Sequence, residues 1–177
     1  MLIHDNNLAL LLLVMLLVLA TVTDIKSHRI PNIFTFGGVL TGIGLHIGWA
    51  GSEGLLIGFY GFTAGLLLLL PFHLFGGGMA AGDVKLMAAA GAFLGPNATL
   101  VAACASLVVG SLLGIGFLVL RGGLMSALRR YFSTTKCFVV TGTFSYVPPH
   151  PSEAAAFKFP YAVAIAMGTV ITLLWLA

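Results

Sequence analysis

Long apolar runs, each stopped by a short polar or glycine- and proline-bearing stretch, set the pattern of this chain. Residues 8–24 form the first run, and Pro31 prevents it from continuing as one helix. The second, 33–50, ends at Gly51-Ser52-Glu53, and the third, 54–75, runs into Gly76-Gly77-Gly78. The fourth, 83–94, is short and halts at Gly95-Pro96-Asn97. A fifth covers 98–120 and a sixth 159–177. A membrane-crossing helix needs about 20 apolar residues. The pattern therefore predicts an all-α polytopic membrane protein, a six-helix transmembrane bundle forming a single domain over residues 1–177. The fourth run is too short to cross unaided, and calls for a tilt, a thinned bilayer or a buried polar end.

Composition agrees. Of the 177 residues, 59% are hydrophobic and 7% charged, against about 25% charged in soluble domains. The mean hydropathy is +1.10. A net charge of +3 does not point to nucleic acid, because the basic residues are few and scattered. Their positions instead report orientation. Lys26 and Arg29 lie in the connection 25–32. Lys85 lies just past 76–82, and Arg121, Arg129, Arg130, Lys136 and Lys158 fall in 121–158. Six crossings put these three connections on one side, which the positive-inside rule makes cytoplasmic, with both termini outside. The expected location is a cytoplasmic (inner) membrane, with the lipid bilayer as partner. The first run is not read as a cleavable signal, since Met1 to Asn7 holds Asp5 and no Lys or Arg. In the long inner loop, Leu124, Leu128 and Phe132 beside Arg129 and Arg130 predict a short amphipathic helix on the inner leaflet. Pro148, Pro149 and Pro151 predict an extended stretch after it. No inverted repeat of the transporter kind is visible.

Acid is scarce: Asp5, Asp24, Glu53, Asp83 and Glu153 are all of it. Asp24 and Asp83 stand where apolar runs meet their predicted cytoplasmic edges, and a carboxyl group at such a boundary is a functional candidate. A structural role competes for each, a polar helix end for Asp24 and an N-cap for Asp83. The glycines before Asp83 do not make a phosphate loop, because Asp83 stands where that loop requires Lys. No HExxH or GxSxG motif occurs, and His4, His28, His46, His73 and His150 are scattered as interfacial or loop residues. Cys104 and Cys137 are the only cysteines, too few for a disulfide framework or a four-cysteine zinc site. No cofactor or metal is implied. Helix ends alone would put the proton on Asp24, at a C-terminus, and the charge on Asp83, at an N-terminus.

Asp24 followed by Ile30-Pro31-Asn32, with Gly82-Asp83-Val84-Lys85-Leu86 opening a short helix, resembles the type IV prepilin peptidase family, membrane aspartyl proteases of the GxGD class. The closing Phe159-Pro160-Tyr161-Ala162-Val163-Ala164-Ile165-Ala166 is similar to that family's last helix. One departure is Ala80, where GxGD has its first glycine. If that position required a positive φ, Ala would cost about 1 kcal/mol or more. The resemblance implies an aspartic endopeptidase at the cytoplasmic face that removes the short basic leader of prepilins. Asp24 and Asp83 would be catalytic, and Gly82, Lys85, Pro31 and Asn32 supporting. The paired cysteines of methylating relatives are not found, so the similarity is to the peptidase-only form of Flp-type pilus systems or to archaeal preflagellin peptidases, with no methyl transfer expected. Two other readings stay open: a proton or cation transporter using paired acids, and a GxGD protease with non-pilin substrates. The first predicts acids staggered through the membrane. The second predicts a Pro-Ala-Leu after the second acid, which this sequence does not have.

Overall fold

The computed structural model describes residues 7–76, 79–126, 128, 129, 132 and 160–176. Asp5, Gly77, Gly78, Lys136, Cys137, Glu153, Lys158, Phe159 and the proline stretch 148–151 lie outside the described residues. Among those described, every regular element is helical. The order is α1 (Asn7–Ser27), α2 (Asn32–Gly76), α3 (Ala81–Leu94), α4 (Pro96–Leu120) and α5 (Ala162–Leu176). Three helices, α1, α2 and α4, are long and apolar enough to cross a membrane, and α5 is a shorter apolar helix. Two compact units divide the chain, one of residues 1–110 and 160–177, the other of residues 111–159.

In the first unit, α2 carries the second and third apolar runs as two limbs. It breaks at Ala50 (φ −133°) and Gly51 (φ 59°, ψ −130°), at the predicted glycine stop. A left-handed φ is what Gly adopts at little steric cost. The limbs fold back on each other, because Gly54 lies against the His46 backbone and Gly58 against Ile43. Helix α3 lies in the groove between them. Its Ala92 backbone touches Gly42 of the first limb, while Gly91 and Met87 meet Gly61 and Gly65 of the second. Lipid offers apolar groups no incentive to associate, so close packing through small residues must hold such helices together. The glycines supply that closeness, and eleven of the fourteen residues of α3 are buried.

This burial accounts for the short fourth run. At about 1.5 Å per residue, α3 falls well short of a ~30 Å hydrocarbon layer; it is instead sheathed by the limbs of α2. Its carboxyl end is tied by His46, buried at 2% exposure, whose Nε2–H donates to Phe93 O at 3.1 Å. Terminal helix carbonyls have no partner within their own helix, so His46 is a helix cap, not the interfacial residue expected. Gly95 (φ 74°) ends α3, and Pro96 opens α4.

Helix α1 buries Ala9, Leu13, Leu16, Leu17 and Ala20, one inward stripe at helical spacing, and packs on α2, α3 and α5. Gly168 of α5 rests against Ser106 of α4, and Gly110 against the ring of Tyr161. In the second unit, residues 124–126, 128, 129 and 132 are helical. Leu128 and Phe132 are exposed there.

The glycine packing is testable by thermal unfolding in detergent. A Cβ at Gly61 would overlap the Gly91 backbone, whereas one at Gly44 meets nothing within 4 Å. Gly61→Ala is expected to lose about 1–3 kcal/mol, the usual cost of overpacking, while Gly44→Ala melts like the parent. Equal melting temperatures for the two variants would contradict the packing described.

Candidate active site

Four consecutive turns of the α1 stripe are apolar, and the fifth position is Asp24, four residues past Ala20. Helical periodicity thus carries the carboxyl inward, leaving Asp24 7% exposed. One turn on, α1 ends with His28 in the left-handed region (φ 49°), its N–H on Asp24 O at 2.8 Å. The chain then turns through Arg29 and Ile30 to Pro31, whose carbonyl accepts the Phe34 N–H at 3.1 Å and starts α2.

Asp83 is 5% exposed in the first turn of α3. It is not the N-cap. That place belongs to Ala80 (φ −75°, ψ 149°), and Asp83, three residues on, reaches back to accept the Ala80 N–H at 3.2 Å on Oδ2. This is the carboxylate half of a capping box. The backbone of Ala80 is ordinary extended chain, so the departure from Gly at this position costs no conformational strain. Gly82 has a different reason: a Cβ there would come within 3.3 Å of the Ile30 side chain, which folds the connecting segment over the start of α3.

Both acids line one cavity of about 230 Å³, bounded by His28, Arg29, Ile30, Asn32, Ala80, Ala81, Gly82 and Lys85 as well. Lys85 Nζ donates to Asn32 Oδ1 at 3.0 Å and lies 5.9 Å from the centre of the Phe36 ring, which bridges the mouths of α2 and α3. Of the residues singled out in the sequence, Asp24, Asp83, Gly82, Lys85 and Asn32 meet here. Pro31 is exposed and outside the lining; its part is to start α2. His28, Arg29 and Ile30 also belong to the wall, and only their place between Asp24 and Asn32 signalled it. Among the described residues no group of three His, Cys, Asp or Glu side chains is placed to hold a metal.

Asp24 has a partner that the sequence did not disclose. Its Oδ2 accepts the backbone N–H of Ala162, the first residue of α5, at 3.1 Å. The end of α1 is therefore opposed by the N-terminus of another helix, whose free N–H groups favour negative charge. Asp83 is differently placed. Burial, then the charge of Asp24, push its carboxyl up to about 7, the Ala80 N–H pulling down against both. Burial and the neighbouring Asp24 charge thus favour the neutral form of Asp83, the opposite of what helix ends alone predict for it. That expectation counted two helices and left out both burial and the third helix end.

Carboxyl infrared spectra check the assignment. A protonated-carboxyl band is expected below neutral pH that titrates away through about 7. Asp83→Asn removes it. Asp24→Asn keeps it but moves the titration to lower pH, since a repelling charge is gone. A band lost in Asp24→Asn and retained in Asp83→Asn would put the proton on the other acid.

No curated protein and no solved structure matches the chain. The family model described as the type IV leader peptidase family matches residues 11–115, a segment that contains both acids and the whole cavity wall.

Proposed function

Since the chain belongs to the type IV leader peptidase family, it is an aspartic-type prepilin leader peptidase, and we propose that Asp24 and Asp83 are its catalytic pair. The observation that carries this reading is that the two buried carboxyls line one open cavity, each accepting a backbone N–H. In the reading, Asp24 is the base. It takes a proton from water as the oxygen attacks the scissile carbonyl carbon, while Asp83 gives its proton to the carbonyl oxygen. Collapse of the tetrahedral adduct returns that proton to Asp83, as the one on Asp24 passes to the leaving nitrogen and the C–N bond breaks. Two acids with one proton between them supply both general base and general acid, and no covalent intermediate forms.

The substrate is a prepilin or similar precursor, cut after its short basic leader. We place the cavity at the cytoplasmic face, where the eight basic residues of the chain cluster by sequence. The leader then stays in the cytoplasm and the apolar pilin helix approaches from the bilayer. With α2 counted as two crossings, the chain makes a six-helix bundle acting as one peptidase domain in the inner membrane, both termini outside. Gly82, Asn32 and Lys85 support the site by closing its wall.

Asp24→Asn and Asp83→Asn are each expected to lower cleavage of a co-expressed prepilin by at least about 10²-fold, the low end for loss of general acid–base catalysis, with melting behaviour retained. Cleavage by either variant at near-parental rate would remove that residue from the pair.

A further inference from the structure

His73 stands in the last turn of α2, ten residues ahead of Asp83. Its Nδ1 is 2.8 Å from Met79 O. A carbonyl oxygen only accepts, so Nδ1 carries the hydrogen. Met79 O and Ala80 N belong to one planar peptide unit. The Ala80 N–H, on the far side of that unit, is the donor to Asp83 Oδ2 at 3.2 Å. A single peptide bond therefore connects the imidazole to the carboxyl. Drawing electron density onto the Met79 oxygen makes the Ala80 N–H a stronger donor, as in any hydrogen-bonded chain.

We propose that His73 is a positioning residue of the peptidase site, fixing the Met79–Ala80 peptide so that its N–H is aimed at the Asp83 carboxyl. The inference rests on the assignment of Asp83 as catalytic. His73 touches no reacting atom and acts through the backbone. Other polar groups surround Asp83: Asp24 from α1, His28, Arg29 and Asn32 from the connecting wall and Lys85 on its own helix share its cavity, and Tyr161 ahead of α5 feels its charge. None of them reaches the Met79 carbonyl in the contacts described above, so a change at His73 has its own route to the acid.

The test uses the full chain in proteoliposomes. His73→Ala is expected to lower kcat roughly three- to tenfold with little change in KM, a fraction of what misplacement at a catalytic centre can cost. Because a weaker donor favours the neutral acid, both the basic limb of the pH–rate profile and the infrared titration of the Asp83 band should move to higher pH. His73→Asn, whose side-chain amide N–H takes the place of Nδ1, restores both. Ala80→Pro removes the N–H at a φ that proline accepts, and on that background His73→Ala should move neither limb nor band further. An unmoved limb and band in His73→Ala, failure of His73→Asn to restore them, or full additivity with Ala80→Pro would each overturn the proposal. If cleavage persists in Asp83→Asn, it is the catalytic pair that fails; if cleavage needs Asp83 and is indifferent to His73, only the relay fails.

Discussion

Two carboxyl groups buried along one small cavity cannot both keep their charge cheaply, and much of this structure is arranged around that constraint. Removing an unpaired ion from water is costly enough that the group takes up a proton instead. Here the two acids divide the load. Asp24 receives the opening N–H of α5, at the helix end where negative charge is favoured. Asp83 receives one N–H from its own N-cap residue, while its burial and the charge of Asp24 push its carboxyl up to about 7. In the proposed mechanism this asymmetry leaves one proton between the two acids.

Holding the acids in register is the task of the helices. Each carboxyl sits at the end of a helix whose position is set elsewhere. Helix α1 is set by its inward stripe from Ala9 to Ala20. Helix α3 is set by the glycines of α2, which let its backbone approach both limbs. Association within lipid relies on such close packing, so a methyl group at Gly61, far along the chain from Asp83, bears on how α3 is seated. The bond from Lys85 to Asn32 and the contact of Ile30 with Gly82 then close the wall between the two helix ends.

Much of this is legible in the sequence. Breaks at Gly51, Gly76 and Gly95 announce the helix ends, and the four-residue step from Ala20 to Asp24 puts the first acid on the buried face. Family motifs point to Gly82, Asp83, Asn32 and Lys85, which line the same cavity. What the sequence conceals comes from backbone groups brought in from afar. Nothing in the residue type of Ala162 declares that its N–H serves Asp24, and the reading from helix ends alone did not include that third helix end. His46 and His73 were read as scattered histidines for the same reason: their partners, Phe93 O and Met79 O, are carbonyls that every residue possesses. The short fourth run was likewise expected to bridge the bilayer with difficulty, whereas α3 is enclosed by protein, which run length alone does not reveal.

The central claim is that one shared proton, resting on Asp83, drives cleavage. It is tested most directly by the pH dependence of prepilin cleavage under single-turnover conditions in sealed proteoliposomes. Loss of that proton removes the general acid, so the rate is predicted to fall as the pH rises through about 7. A rate that continued to climb well above neutral pH, as for a nucleophile or base that must first lose a proton, would contradict the account.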